Sequence, residues 1–412
     1  MEITKQSNMI KRELYLKRLR PFYNKNIVKI LTGMRRSGKS VMLSLIQDEL
    51  IAIGVNSKQI ITINFESAKH YKLKNPKALY EFLIGKISMI SEKAYLFLDE
   101  IQEVENWQTI INSLLVDHDV DIYITGSNAK LLSGELATYL SGRYIEIQIF
   151  PFSFVEVKEK IRQSDKNLTE MDILKKFLRF GGMPFLFEIG YGEDSSLQYL
   201  SDIYNSVVLK DVVQRNSIRD VDLLERLLRF VISNISLTFS SKSISNYLKS
   251  ENRKVAPETI INYMKACADA FLFQRIPRQD LVGKGILKTQ EKIYLTDHGI
   301  RETISGKNNK DIEKILENIV CIELLRRGYR LTVGYIENKE IDFVAEKQGK
   351  VEYYQVTYSL GNEGIINREF DPLLRIKDNF PKYVISMLDE IDLSQDGIIH
   401  LNLINFLNQE YI

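Results

Sequence analysis

Residues 33–40 have the types and spacing of a loop that binds phosphate groups. Gly33-Met34-Arg35-Arg36-Ser37-Gly38-Lys39-Ser40 fits G-x-x-x-x-G-K-[ST] at every fixed position, between an apolar strand pattern and a helical one. The glycines let backbone N–H groups turn inward around phosphates, and the helix dipole adds positive potential. Lys39 is predicted to reach the β- and γ-phosphates of ATP, and the Ser40 hydroxyl to ligate Mg²⁺. The predicted ATP-binding residues are Gly33, Arg36, Ser37, Gly38, Lys39 and Ser40.

Two adjacent carboxylates supply the second part of this chemistry. The apolar segment YLFLDE at 95–100 reads as a buried strand that ends in Asp99 and Glu100. Asp99 is suited to hold Mg²⁺ through water, and Glu100 to orient and polarise the attacking water. A polar strand end alone would mean little. Together with the phosphate-binding loop, it predicts ATP hydrolysis as well as ATP binding.

Polar residues at two neighbouring strand ends are candidates for sensing the nucleotide or for restraining Glu100. The sequence TGSN at 125–128 ends the next strand, so Ser127 or Asn128 is predicted to contact the γ-phosphate or its water. The alternative is that it caps the following helix. Asn64 ends the second strand and is predicted to hydrogen-bond Glu100.

Arg143 is a candidate catalytic residue that acts between subunits. It follows a helical pattern and precedes a strand. An arginine there is suited to complete the site of a neighbouring subunit, where it would stabilise charge in the transition state. The alternative is a surface ion pair. The first possibility predicts a homo-oligomer.

The elements that must position these residues alternate between strand and helix. Short apolar strands are predicted at 27–32, 60–65, 95–99 and 121–126, with amphipathic helices such as 40–51 and 106–116 between them. This alternation predicts an α/β fold, a parallel sheet with helices on both faces. A further helix is predicted at 10–20, with Arg12 among its water-facing residues.

The rest of the chain is predicted to be mostly helical and then to return to strands. Helices are predicted across 171–232, and a helix, a turn, a second helix and two short strands across 237–300. The last hundred residues begin with a helix, and their strands are predicted at 340–346, 351–358, 382–387 and 397–402.

Bulk composition excludes several classes of protein. The chain has 412 residues, and its 56 basic and 54 acidic residues give a net charge of +2, so it carries no strong overall field for nucleic acid or membrane. Its two cysteines exclude a disulfide framework. No apolar run is long enough to span a membrane, and the first residues do not read as a secretory signal. We expect a soluble, cytoplasmic protein.

These motifs resemble the AAA+ superfamily. More closely, the chain is similar to bacterial and archaeal ATPases whose carboxy-terminal half is a domain of unknown function. The matching segments include LTGMRRSGKS, YLFLDEIQEVENWQ, YITGSNAKLLSGELATYLSGRYIEI, FGGMPF, LKDVVQRNSIRD and EIDFVAEKQGKVEYYQVTYSL. The resemblance implies an AAA+ core with an amino-terminal helix at 1–155, a helical lid at 156–235, a winged helix at 236–305 and a PD-(D/E)-x-K nuclease-like domain at 306–412. Arg215 or Arg219 would be the lid's sensor arginine.

The implied winged helix carries a modest basic excess. Between residues 240 and 300 there are ten Lys or Arg and six Asp or Glu, a local net charge of +4. The alternative to DNA binding is a winged helix that serves only packing or protein contact. Asn262 or Lys265 would face a DNA groove, and the predicted phosphate contacts are Lys242, Lys249, Arg253, Lys254, Lys284 and Lys288.

The implied nuclease-like domain has lost part of the usual active site. Its matching positions are Glu317, Asp342, Gln355 and Thr357. An active site of this kind needs a second acidic ligand where Gln355 stands and a lysine where Thr357 stands. We therefore predict that the domain does not cleave DNA, unless Lys339 or Lys350 replaces the missing lysine.

Three functions are compatible with these features. The first is an ATP-dependent, oligomeric DNA-binding switch that uses Mg²⁺ and ATP. The second is a signalling or scaffold ATPase whose carboxy-terminal domains recognise proteins. The third is an ATP-gated nuclease, which Thr357 disfavours.

Overall fold

The computed structural model describes residues 9–129, 140, 142–283, 285–306, 311–387 and 393–409, without the side chains of 286–290. The chain forms two compact units. The first contains the residues up to Pro151 together with Asp269–Phe271, and the second contains Phe152–Ala268 and the residues from Leu272 onward. Among the described residues, no helix is both long and apolar enough to cross a membrane.

Five strands form the sheet of the first unit: β1 (Val28–Thr32), β2 (Ile60–Asn64), β3 (Ala94–Asp99), β4 (Val120–Gly126) and β5 (Tyr144–Gln148). Their order is β2-β3-β4-β1-β5, and all neighbours are parallel. The order reverses at β1, and parallel sheets bind ligands at the carboxyl ends of strands beside such a reversal. The predicted α/β class with a parallel sheet is confirmed.

Helices cover both faces of this sheet because successive strand residues point to opposite sides. Ile30 and Leu98 face a core formed with α3 and α4, while Leu31 and Phe97 face a core formed with α1 and α2. These helices are α1 (Glu13–Leu19), α2 (Lys39–Ala52), α3 (Pro76–Ile87) and α4 (Trp107–Asp117). Short 3₁₀ turns lie at Arg20–Phe22, Ser57–Gln59, Ala68–Lys74 and Ile101–Glu103.

After Pro151 the chain is helical over a long stretch, as predicted. The helices are α5 (Phe154–Ser164), α6 (Glu170–Phe180), α7 (Glu193–Ser206), α8 (Val221–Ser233), α9 (Ser241–Ser250), α10 (Pro257–Asp269), α11 (Gly299–Ser305), α12 (Ile312–Arg326), α13 (Glu363–Leu374) and α14 (Leu403–Asn408). A 3₁₀ turn lies at Pro184–Leu186, and a π-helix, Val207–Gln214, continues directly from α7. The free cysteines, Cys267 in α10 and Cys321 in α12, are both buried.

Seven strands form the mixed sheet of the second unit: β6 (Phe273–Asp280), β7 (Ile286–Leu295), β8 (Arg330–Ile336), β9 (Lys339–Lys347), β10 (Lys350–Val356), β11 (Lys382–Ser386) and β12 (Ile398–Asn402). Their order is β12-β11-β10-β9-β8-β6-β7. The β6–β7 hairpin of the predicted winged helix therefore shares one sheet with the strands of the predicted nuclease-like domain. The domain boundaries at 155, 235 and 305 stay predictions.

One strand of this sheet, β8, was not predicted. Its sequence RLTVGYI contains Gly334, and glycine within a strand often marks an irregularity that weakens the strand pattern. The pairing of β8 with β9 does shift register between Thr332 and Gly334.

The FGG segment after α6 is held by a buried carboxylate. Asp297 accepts hydrogen bonds from the backbone N–H groups of Gly182 and Gly299, each 2.9 Å long. Gly181 has φ 74°, and a Cβ there would lie 2.0 Å from Asp297 Oδ1. The neighbouring His298 contacts the Phe177 carbonyl at 2.6 Å through Nε2. Burial raises the pKa of Asp297 to about 6 and lowers that of His298 to about 4.

Candidate functional site

The phosphate-binding loop, residues 33–40, joins the carboxyl end of β1 to α2. Gly33 has φ 140°, and a Cβ there would lie 2.3 Å from the Ile149 carbonyl oxygen, so only glycine fits between the loop and the end of β5. Gly38, with φ 99°, stands immediately before α2. The buried Ser37 Oγ has no hydrogen-bond partner among the described residues. The loop therefore has the backbone conformation and helix terminus that phosphate binding requires.

Lys39 points back into this loop. Its Nζ donates to the carbonyls of Gly33 at 3.0 Å and Met34 at 3.1 Å, and it lies 3.6 Å from Glu100 Oε1. The lysine is 4% exposed, so its charge acts on nearby groups with little solvent screening. Lys39 and Glu100, predicted from separate motifs, meet in one site.

The residues predicted to hold Mg²⁺ also meet. The Ser40 hydroxyl hydrogen-bonds the Asp99 carboxylate. Asp99 Oδ1 accepts from the Thr125 hydroxyl at 2.5 Å, and Oδ2 accepts from Asn64 Nδ2 at 2.9 Å. Burial raises the pKa of Asp99 despite these hydrogen bonds. Hydroxyl and carboxylate oxygens are the donors that Mg²⁺ prefers, so Ser40 and Asp99 fit this ion.

Glu100 has a strained backbone and a restrained side chain. Its φ of 57° lies in the left-handed region, which is unusual for residues other than glycine and recurs at functional sites. Gln102 Nε2 and the Ser127 hydroxyl donate to its carboxylate. Burial would raise the pKa of Glu100, but the Lys39 charge and these hydrogen bonds outweigh burial and lower it. Glu100 is therefore ionised at neutral pH, as polarising a water molecule requires.

Two residues of this site were missed by sequence reasoning, and one predicted contact was wrong. The Thr125 hydroxyl bonds Asp99 and also accepts from the Glu100 backbone N–H at 2.9 Å, so it fixes both carboxylates. Gln102 was missed although it lies two residues after Glu100. Asn64 does not bond Glu100 as predicted; it bonds Asp99, the residue directly opposite it in the β2–β3 register. Of the two sensor candidates, Ser127 hydrogen-bonds Glu100. The next residue, Asn128, is also buried.

Arg143 lies at the other end of the sheet from the phosphate-binding loop. The residue after it, Tyr144, begins β5 opposite Val28, the first residue of β1, whereas the loop follows the last residue of β1. A five-residue strand is about 16 Å long. Arg143 is exposed and does not lie beside its own chain's nucleotide site. Its role in a neighbouring subunit stays a prediction.

Arg12 supports the phosphate-binding loop from outside. Its Nη1 donates to the Ser37 carbonyl at 3.0 Å, and its Nη2 donates to the carbonyls of Phe150 at 2.8 Å and Pro151 at 3.4 Å. The prediction that Arg12 faces water was wrong, since it is 3% exposed. The helix begins at Glu13, and Arg12 precedes it in a left-handed conformation, φ 50°, that removes it from the helical face.

The predicted DNA contacts are not equivalent. Arg253 is paired with Asp220 and Asp222, at 2.8 Å from Asp220 Oδ2. This ion pairing reduces the basic excess that the sequence suggested. Lys284 and the side chain of Lys288 lie outside the described residues. Asn262 is exposed, as are the predicted contacts Lys242, Lys249, Lys254 and Lys265.

Two of the four predicted nuclease-like residues contact a buried lysine that the sequence did not reveal. Glu317 of α12 and Asp342 of β9 both contact Lys292 of β7, whereas Gln355 Nε2 donates to Glu369 at 3.1 Å. Burial would lower the pKa of Lys292, but the surrounding carboxylates raise it above its ordinary value, so it stays protonated. Lys292 belongs to the predicted winged-helix hairpin, and only the shared sheet brings it here.

The other positions suggested for this region lie elsewhere. Lys339 approaches Asp371 at 3.7 Å, and Lys350 is exposed, so neither replaces the missing lysine. Thr357 is buried, and its hydroxyl donates to the Ser359 carbonyl at 3.4 Å. Among the described residues, no group of three or more His, Cys, Asp or Glu is arranged to hold a metal ion.

Comparisons with known proteins agree with the geometry of the first unit. A family model described as "AAA domain" matches residues 25–158, and one described as "Domain of unknown function (DUF8612)" matches residues 171–311. A protein of Haemophilus influenzae is 38% identical over 401 residues, covering 97% of this chain and 99% of that protein. A protein of Methanocaldococcus jannaschii is 32% identical over 341 residues, covering 79% and 72%. Both are described as uncharacterized.

Solved structures share only distant similarity. AMPPCP-bound DnaA from Aquifex aeolicus has a TM-score of 0.34 and 14% identity, covering 63% of this chain and 88% of that one. The ORC1 protein of Aeropyrum pernix in complex with DNA has a TM-score of 0.32 and 12% identity, covering 72% and 93%. Both similarities are too distant to indicate a function.

Proposed function

The chain belongs to the same family as these Haemophilus influenzae and Methanocaldococcus jannaschii proteins, and it carries an AAA domain. We propose that it binds and hydrolyses Mg-ATP. We propose further that it acts as an oligomeric, ATP-dependent DNA-binding switch. The observation that carries the ATPase part is the meeting of Lys39, Ser40, Asp99 and Glu100 at the carboxyl ends of β1 and β3. Two distant sequence motifs converge there on one phosphate-binding loop.

In the proposed reaction, each of these side chains has a separate task. Lys39, now held by loop carbonyls and near Glu100, turns to the β- and γ-phosphates, which offer more negative charge. Ser40 and Asp99 would hold Mg²⁺, which when bound neutralises charge on the phosphate oxygens. Glu100 accepts a hydrogen bond from the attacking water and orients it. Thr125 keeps the two carboxylates in fixed relation.

Nucleotide binding would also change what restrains Glu100. Lys39 lies 3.6 Å from this carboxylate, while Gln102 and Ser127 donate to it. When Lys39 moves to phosphate, Glu100 loses its nearest cation but keeps its hydrogen bonds. The carboxylate is then a stronger hydrogen-bond acceptor for water. ATP binding and activation of the catalytic carboxylate would thereby be coupled through one lysine.

The ATPase part is tested by two substitutions with matched controls. Lys39→Ala removes the phosphate contact and should abolish tight ATP binding, whereas Glu100→Gln should keep binding and lose roughly 10²- to 10⁴-fold in turnover. Lys58→Ala and Glu105→Gln change exposed residues of the same types in the first unit and should leave both unchanged. Turnover of Glu100→Gln at the wild-type rate would contradict the catalytic assignment.

The DNA-binding part is supported by α9, α10 and the β6–β7 hairpin, and by the exposed lysines on those helices. Duplex binding should weaken steeply with salt and differ between the ATP and ADP states. Lys249→Ala should weaken binding to all DNA sequences and reduce the slope of log binding constant against log salt concentration by about one. Lys166 is an exposed lysine after α5, and Lys166→Ala should change neither quantity. If duplex binding is absent while ATP hydrolysis is normal, the protein-recognising ATPase becomes the better proposal.

A further inference from the structure

An arginine inside the phosphate-binding loop pairs with a carboxylate from another edge of the site. Arg35 Nη1 lies 2.8 Å from Glu66 Oε1, and the side chain of Arg35 is 15% exposed. The loop follows β1 and Glu66 follows β2, whereas the strand order β2-β3-β4-β1 places the ends of β3 and β4 between them. The carboxylates Asp99 and Glu100 stand at the end of β3. The Arg35–Glu66 pair therefore spans the sheet edge where the nucleotide phosphates would bind.

The charge of Arg35 acts on the same carboxylate as the charge of Lys39. Burial would raise the pKa of Glu100, but the Lys39 charge, the hydrogen bond from Gln102 and the Arg35 charge lower it. Arg35 is thus a second cation of the nucleotide site, beside Lys39. It stands at a position of the loop motif that any residue can fill, so the motif alone assigns it no task.

We propose that Arg35 is a catalytic residue of its own subunit's site, which pairs with Glu66 before ATP binds and contacts the γ-phosphate when ATP is bound. This inference rests on the ATPase function proposed above. In hydrolysis the water oxygen bonds to the γ-phosphorus, and the bond from that phosphorus to the β–γ bridging oxygen breaks, with ADP taking the electron pair. One proton of the water passes to Glu100, and the other stays on the phosphate. Arg35 would stabilise the negative charge on the equatorial oxygens of the γ-phosphoryl group in the transition state.

The ion pair with Glu66 is weak enough to give way to phosphate. The Glu66 side chain is 50% exposed, and an ion pair with a solvated partner contributes little to stability. A phosphate group carries more negative charge than a carboxylate and binds the planar guanidinium through two parallel hydrogen bonds. Glu66 itself is held in place, since its backbone N–H donates to Asn64 Oδ1 at 2.8 Å and Asn64 Nδ2 donates to Asp99. Arg35 therefore waits at a fixed position beside the site.

Steady-state kinetics of the full-length chain separate a catalytic role from a structural one. Arg35→Ala should lower kcat roughly 10³-fold and leave the affinity for ADP unchanged, because ADP lacks the γ-phosphate. Arg35→Lys keeps the charge without the planar fork and should recover only part of the loss. Glu66→Gln removes the competing carboxylate and should keep the wild-type kcat while lowering the KM for ATP about two- to fivefold. If Glu66→Gln loses as much activity as Arg35→Ala, the pair is structural and the proposal is overturned.

Binding of ADP with aluminium fluoride gives a readout that does not depend on turnover, because the fluoride ligands take the place of the transferring phosphoryl oxygens. Arg35→Ala should weaken this binding by a factor similar to its loss of kcat. Arg226→Ala breaks an exposed ion pair with Asp222 on α8 and should change neither quantity. Equal affinity of the wild type and Arg35→Ala for ADP–aluminium fluoride would overturn the proposal.

Subunit mixing tests whether Arg35 acts within its own chain. Arg35→Ala and Glu100→Gln each damage the site of the subunit that carries them, so their mixture contains no intact site and should recover no activity. Recovery would place Arg35 in a neighbour's site and contradict the proposal. If the wild type hydrolyses ATP and Arg35→Ala does so at the same rate, this proposal fails alone. A wild type without ATP hydrolysis would remove the proposed ATPase function and this inference with it.

Discussion

The adjacent buried groups Asp297 and His298 should give the second unit two opposing pH dependences. The pKa of Asp297 is raised from 3.8 to about 6 by burial, so the folded chain binds a proton there that the unfolded chain has lost. Its contribution to stability therefore falls as pH rises from about 4 to 6. The pKa of His298 is lowered by burial from 6.5 to about 4, so its contribution rises over nearly the same range.

The two contributions are similar in size. A pKa difference of one corresponds to about 1.4 kcal/mol, so each group changes the free energy of unfolding by about 3 kcal/mol across this range. In the wild type they nearly cancel. Between pH 4 and 6.5, the free energy of unfolding of Asp297→Asn should rise by about 3 kcal/mol more than that of the wild type. Over the same range, the free energy of unfolding of His298→Gln should fall by about 3 kcal/mol relative to the wild type.

Urea unfolding followed by circular dichroism between pH 4 and 6.5 measures these slopes. The pH dependence is the readout, and not the absolute stability, because either substitution also changes packing. His118→Gln and Asp119→Asn provide matched changes at an adjacent pair in the first unit, where Asp119 is 72% exposed. If both Asp297→Asn and His298→Gln keep the wild-type slope, the reasoning from burial is refuted.

Three further predictions concern the candidate sites. Gln102→Ala removes a hydrogen-bond donor to ionised Glu100 and should therefore raise the pKa of that carboxyl. The acidic limb of the kcat–pH profile should then move to higher pH while ATP affinity changes little. An acidic limb at the wild-type pH would argue against the contact. Mixing Arg143→Ala subunits with Glu100→Gln subunits should restore part of the ATPase activity at mixed interfaces. If the mixture stays inactive and light scattering shows that the ATP-bound protein is a monomer, Arg143 has only a structural role. Purified protein should not cut linear, supercoiled or branched DNA with Mg²⁺ or Mn²⁺, and cutting that disappears in Asp342→Ala would favour the nuclease.

The sequence predicted those parts of the site that depend on contiguous residues. The phosphate-binding loop and the Asp99–Glu100 pair are local motifs, and the periodicity of the surrounding strands places both at the carboxyl edge of a parallel sheet. The strands β1 to β4 were predicted almost to their ends for the same reason. Local chemistry and apolar periodicity are properties of short segments, so they can be read without the fold.

Contacts that depend on register or on distant pairing could not be predicted. Whether Asn64 bonds Asp99 or Glu100 depends on the alignment of β2 with β3, which no local pattern fixes. Lys292 meets Asp342 only because β7 and β9 belong to one sheet, fifty residues apart in sequence. Arg12 was misplaced because helix starts are uncertain by a residue or two, and here that shift reverses the side chain's exposure.

The hydrogen bonds of Arg12 have a consequence for how this chain can be divided into fragments. One guanidinium joins the Ser37 carbonyl of the phosphate-binding loop to the carbonyls of Phe150 and Pro151, at the end of the long continuous segment of the first unit. A fragment that starts at β1 would contain every nucleotide-binding motif but would lack Arg12. It would therefore lose the hydrogen bonds that connect the phosphate-binding loop with Phe150 and Pro151. The smallest portable nucleotide-binding module of this chain therefore begins before Arg12 and not at the first strand.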